Sequence, residues 1–261
     1  MITVLLIGLG LVMGSFVNAL VWRLHKGRDW VRERSECPHC HRTLAAKDLV
    51  PVVSWLMLGG KCRYCRKPIP DSPITELSVP TLFLLSYYMW LDFSGLGLAL
   101  FVMWLLFLVA FVALAVYDFR WFLLPDKIVF PLMGLAAVYT VTAWTAEGRW
   151  QALLGAATGA AVISGLFYML HAVSKGEWIG FGDVKLGIVL GLLAGGLLPA
   201  LLLLFVASFL GTLITVPLVL AGKAHRKTHL PFGPLLIAGC IVTVLFGDRI
   251  LDWLTASMLL A

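Results

Sequence analysis

The sequence predicts an all-α polytopic membrane protein of about eight transmembrane helices with one small cytoplasmic insert. Three observations lead there. Hydrophobic residues make up 61% of the 261 residues and charged residues only 13%, which excludes an ordinary soluble domain. Apolar runs recur at about the 20-residue length that crosses a bilayer. Lysine and arginine are distributed unevenly between the loops, as cytoplasmic retention of positive charge requires.

The spans are expected at roughly 1–24, 76–93, 96–117, 127–146, 150–173, 184–197, 199–221 and 231–257. The first run carries no positive side chain before it, Arg23, Lys26 and Arg28 follow it, and no small-residue cleavage site closes it. It therefore reads as a retained span with its N-terminus outside, not as a signal peptide. The sixth and seventh are separated only by Gly195, Gly196 and Pro199, which favour a tight turn over one long helix. With eight spans, 18 of the 20 Lys and Arg fall on one side, leaving Arg149 and Arg249 opposite. That side is the cytoplasm. The net charge of +6 then follows from topology and anionic lipid headgroups, with no nucleic-acid partner implied.

Residues 25–75 form the only sizeable water-exposed segment, dividing the chain into a first span (1–24), an insert (25–75) and a membrane core (76–261). The insert carries Cys37-Pro38-His39-Cys40 and Cys62-Arg63-Tyr64-Cys65. Two C-x-x-C knuckles supply four thiolates, the ligand set of a closed tetrahedral zinc site. Cytoplasmic placement argues against disulfides, and a metal clip stabilises a segment too small to bury much core. Gly59 and Gly60 favour the second turn, and Lys61 favours its thiolates. Four cysteines leave His39 and His41 as surface residues, and Cys240 as an apolar filler in the last span.

Acidic residues at span ends carry the functional signal, because a carboxylate near hydrocarbon is expensive to keep. Asp118 ends the third apolar run, at a helix C-terminus where the macrodipole disfavours negative charge. Either Arg120 neutralises it or chemistry requires it. Asp183 closes Gly180-Phe181-Gly182-Asp183 before the sixth span. Gly180 and Gly182 let another backbone approach, as an extended peptide beside an acid would need. Two such carboxylates can share one proton and act as acid and base in peptide hydrolysis, with Asp183, near a helix N-terminus, the readier anion. Asp126 reads as an N-cap, and Asp92, Asp248 and Asp252 as interfacial residues. Asn18 is a buried polar group that needs a partner, beside Gly14-Ser15, which suggests close helix packing. Glu177 and Lys185 flank Asp183 as charge partners or substrate contacts. A proton-coupled transporter would also use paired intramembrane acids, but its site would lie near the midplane between repeats.

Together these residues resemble the type IV prepilin peptidases, over nearly the full length. The similar segments are Gly14-Ser15-Phe16-Val17-Asn18, the cysteine-bearing insert, Asp118 through Leu124-Pro125-Asp126, Gly180-Phe181-Gly182-Asp183-Val184-Lys185-Leu186, and Pro231-Phe232-Gly233-Pro234. The G-x-G-D element is similar to that of presenilin-like proteases. The stretch Asp71-Ser72-Pro73-Ile74-Thr75-Glu76 departs from the family's tyrosine-proline pattern, and the link between Asn18 and Cys37 is short. The resemblance implies a bacterial inner-membrane aspartyl endopeptidase, with Asp118 and Asp183 catalytic, that removes the leader of prepilins or pseudopilins at the cytoplasmic face. It also implies N-methylation of the new N-terminus from S-adenosylmethionine, for which no glycine-rich fingerprint appears.

Overall fold

The computed structural model describes residues 1–29, 33–69, 73–93, 95–222 and 231–259. The basic loop residues Lys223, Arg226 and Lys227, and Asp71 and Ser72 of the divergent stretch, lie outside the described residues. Among those described, regular structure is helical: α1 (Ile2–His25), α2 (Val53–Met57), α3 (Pro73–Met89), α4 (Gly95–Trp121), α5 (Asp126–Glu147), α6 (Gln151–Ser174), α7 (Phe181–Ala194), α8 (Leu197–Leu220) and α9 (Gly233–Leu259).

A helix stands at each of the eight expected positions, but among the described residues six are long and apolar enough to cross a membrane: α1, α4, α5, α6, α8 and α9. The other two fall short for a geometric reason. At 1.5 Å per residue, the 17 described residues of α3 and the 14 residues of α7 reach about 26 and 21 Å, against a hydrocarbon core of about 30 Å. The expected break between the sixth and seventh segments is present. Gly195 ends α7 in the left-handed region, φ 73°, and α8 begins two residues later.

The chain divides into two compact units, residues 1–88 with 105–116, and residues 89–104 with 117–261. In the first, α1 and α3 touch through glycine. A Cβ on Gly14 would lie 2.6 Å from the Cα of Glu76, so the close packing expected there is realised. The buried side chains of this unit include Val17, Val21, Phe83, Phe107, Phe111 and Leu114.

In the second unit α7 is the hub, packed against α5, α6, α8 and α9. Its burial follows from its sequence, since Val184, Leu186, Val189, Leu190 and Leu193 point to more than one face and all are buried. Small residues bring α6 up to it: a Cβ on Gly191 would strike the backbone of Ala160 and Gly159. A short helix packed against four neighbours is a rigid place to fix a carboxylate.

Candidate active site and metal centre

Asp118 sits in the last turn of α4 and is 6% exposed. Its own helix end opposes its charge, as the sequence implies. The compensation comes from another helix: the Gly233 N–H, at the start of α9, donates to Asp118 Oδ2 at 3.2 Å. That N–H is one of the donors a helix N-terminus leaves unpaired, and a hydrogen bond onto a carboxylate favours its charged form. Glycine leaves the carboxyl its place, because a Cβ at 233 would lie 2.7 Å from Asp118 Oδ2 and displace it.

Asp183 is the third residue of α7, with Gly180 as N-cap. Burial first, and then repulsion from Asp118, push its carboxyl up to about 6, against the help of the Gly180 backbone. The two acids are therefore near enough for one charge to act on the other. The helix N-terminus, which favours Asp183 as the anion, is opposed by burial and by Asp118. Leu124 closes the site from the α4–α5 turn. A Cβ on Gly182 would lie 3.1 Å from Leu124 Cβ, and one on Gly233 would lie 3.5 Å from Leu124 Cδ2. Gly182 thus makes room for Leu124, whereas a Cβ on Gly180 would be in ordinary contact with Asp183 Oδ2, 3.7 Å away.

The flanking charges take other roles. Lys185 Nζ pairs with Asp126 Oδ1 and lies over the rings of Phe130 and Phe181. Asp126 is therefore an ion-pair partner; the N-cap of α5 is Pro125, and no side chain caps that end. Glu177 is exposed in the loop before Gly180. Arg120 is exposed, its guanidinium 5.9 Å from the centre of the Trp121 ring.

In the insert, the ligand atoms of Cys37, Cys40, Cys62 and Cys65 all lie within 4.8 Å of one another, and Cys37 Sγ is 3.8 Å from Cys65 Sγ. A tetrahedral zinc with bonds of about 2.3 Å sets its sulfurs roughly 3.8 Å apart, so the dimensions fit. Each knuckle is closed the same way. The His41 N–H donates to the Cys37 carbonyl and the Arg66 N–H to the Cys62 carbonyl, while Cys37 and Cys62 donate to Arg42 and Lys67. Burial opposes the Cys62 thiolate, but the Cys65 and Tyr64 backbone N–H groups prevail and bring the thiol down to about 7. Burial pushes the Cys37 thiol up to about 11. A metal ion would supply the charge that a second thiolate here needs. Cys240 is fully buried in α9 as a filler.

Comparison with known proteins identifies a family. Residues 8–90 match the bacterial peptidase A24 N-terminal domain and residues 104–216 the type IV leader peptidase family. The chain is 30% identical to a prepilin leader peptidase/N-methyltransferase of Aeromonas hydrophila, over 95% of this chain and 92% of that one. It is 33% identical to one of Stutzerimonas stutzeri (96% and 91%) and 32% to one of Bacillus subtilis (94% and 94%). The chain belongs to the type IV leader peptidase family. No solved structure matches it significantly.

Within this leader peptidase family member, three features escaped the sequence reading. The Gly233 contact joins residues 115 apart and the Lys185–Asp126 pair residues 59 apart, and no local pattern encodes either. The third was legible. Cys37-Pro38-His39-Cys40-His41-Arg42-Thr43-Leu44 and Cys62-Arg63-Tyr64-Cys65-Arg66-Lys67-Pro68-Ile69 repeat one turn, with His41 and Arg66 both at left-handed φ.

Proposed function

We propose that this chain is a membrane aspartyl endopeptidase that removes the leader of type IV prepilins or pseudopilins at the cytoplasmic face, and then methylates the new N-terminal amine. One observation carries the proteolytic half. Two carboxylates act on one another across the ends of α4 and α7, Asp183 being disfavoured as an anion by burial and by Asp118, and α9 presents an N–H to Asp118. The family and the names of its relatives supply the substrate class.

The pair works as one titrating unit. Its ionised member takes a proton from water as the water attacks the scissile carbonyl. Its protonated member donates to the carbonyl oxygen, and the roles reverse as the tetrahedral intermediate collapses. The Gly233 N–H anchors the Asp118 carboxyl, so one member of the pair is aimed before substrate arrives. In this reading residues 76–261 form the protease core and 25–75 a cytoplasmic insert clipped by zinc. When bound, zinc would neutralise the thiolates of Cys37, Cys40, Cys62 and Cys65 and fix the two knuckles together.

The experiment is incubation of the purified protein in detergent with a prepilin, S-adenosylmethionine present or absent. Leader loss in both cases, with a mass gain of one methyl group only when the donor is present, is the expected result. An intact leader would refute the protease; a cleaved but unmethylated product would refute the methyl half.

A further inference from the structure

The first unit holds a cavity of about 160 Å³ bounded by α1, the knuckles, α2 and the start of α3. Trp22, Leu44, Leu58 and Ile69 supply apolar wall, and Asn18, Arg23, Trp55 and Glu76 supply polar groups. Two of these residues carry buried atoms with no hydrogen-bond partner, Asn18 Oδ1 and Trp55 Nε1. The sequence requires a partner for Asn18, and among the described residues its carbonyl has none although the residue is 92% buried. Native structures seldom leave such groups unpaired without a functional reason.

The backbone beside the cavity is strained. Val52 lies at φ 61° and ψ −49° with the Val53 N–H on the Pro51 carbonyl, a γ-turn rarely adopted and costly for a β-branched residue. The turn directs the Val52 N–H to Glu76 Oε2 at 2.6 Å and starts the helix that carries Trp55. Strain held at a polar cavity marks sites where position matters more than stability.

We propose that this cavity binds an α-amino-acyl group, an amine one carbon from a carbonyl or carboxylate, and is where methyl transfer to a peptide amine takes place. This rests on the methyltransferase half of the function proposed above. The unpaired acceptor, Asn18 Oδ1, and the Glu76 carboxylate suit the amine. The unpaired donor, the Trp55 N–H, suits the carbonyl, with Arg23 adding positive charge for a carboxylate. The volume is below that of a site enclosing a whole drug-sized ligand, so it takes one end of a longer molecule. Two molecules in the reaction have such an end: the new peptide N-terminus and the methionyl portion of the sulfonium donor. The step balances with Glu76 as base. The amine lone pair attacks the methyl carbon, the C–S electron pair stays on sulfur as a thioether, and the proton shed by nitrogen passes to the carboxylate.

Calorimetry on the full-length zinc-loaded protein in detergent tests this, with wild type, Trp55→Phe and Glu76→Gln. The probes are S-adenosylmethionine, a hexapeptide beginning with phenylalanine, and its N-acetylated form. Loss of one hydrogen bond weakens binding roughly 3- to 10-fold, and acetylation removes peptide binding if the amine is what the cavity holds. Weakening for S-adenosylmethionine alone places the donor here; weakening for the free peptide alone places the acceptor. Unchanged affinity for both probes in both variants overturns the proposal. Leader cleavage and zinc content, read on the same samples, report that the variants are folded. A wild type that cleaves and methylates while both variants bind and methylate equally sinks this site alone. A wild type that cleaves but never methylates sinks the methyl half of the function as well.

Discussion

Gly233→Ala places a methyl group where an oxygen already stands. The new Cβ would lie 2.7 Å from Asp118 Oδ2 and 3.3 Å from Asp118 Cγ, closer than carbon tolerates. The carboxyl is the free end of a side chain, so it turns away and the backbone stays. What is lost is the 3.2 Å hydrogen bond from the Gly233 N–H. A hydrogen bond to a charged group contributes about 1.5–3 kcal/mol, which at about 1.4 kcal/mol per factor of ten predicts a roughly 10- to 150-fold fall in kcat/KM. The assay is prepilin cleavage in detergent, with thermal unfolding followed in parallel. Gly134→Ala is the control, because its Cβ would meet nothing within 4 Å. A Gly233→Ala enzyme with wild-type kcat/KM would refute the role assigned to α9.

Other consequences are as specific. Gly191→Ala drives a Cβ into the backbone of α6, which cannot give way as a side chain can; overpacking of this kind costs about 1–3 kcal/mol and lowers the unfolding temperature, whereas Gly165→Ala, facing open space, leaves it unchanged. Asp183 has its carboxyl raised to about 6 by burial and by Asp118, so the proton the pair shares is present below that pH and lost above it; kcat/KM should decline as pH rises through about 6, and a rate that instead climbs from pH 6 to 8 would contradict a singly protonated pair. Replacing any one of Cys37, Cys40, Cys62 or Cys65 with serine should lower bound zinc, measured by atomic absorption, and expose the insert to protease; full zinc content in all four variants would exclude this ligand set.

Much of the fold was legible because bilayer-length apolar runs and glycine punctuation are strong local signals. Helices stand where the runs stand, and the break after Ala194 falls at the glycine pair. The span count was less legible, since composition does not reveal that α7 is a helix of only 14 residues packed among its neighbours. For the candidate site, local reasoning singled out Asp118 because a carboxylate at a helix C-terminus lacks any capping motive. It could not identify what offsets that cost, because the offsetting N–H arrives from α9 through tertiary packing. The same limit explains Asp126, which satisfies a capping pattern on paper but turns to Lys185 once α5 and α7 meet. Asn18 shows the converse: the need for a partner was legible, and the fold leaves the need in place.

Everything proteolytic depends on Asp118 and Asp183 forming a single catalytic unit. Cleavage rates for Asp118→Asn, Asp183→Asn and the double variant, each checked for wild-type unfolding behaviour, test that directly. A shared unit predicts that either single change abolishes leader removal as completely as both together. Substantial processing by either folded single variant would contradict it.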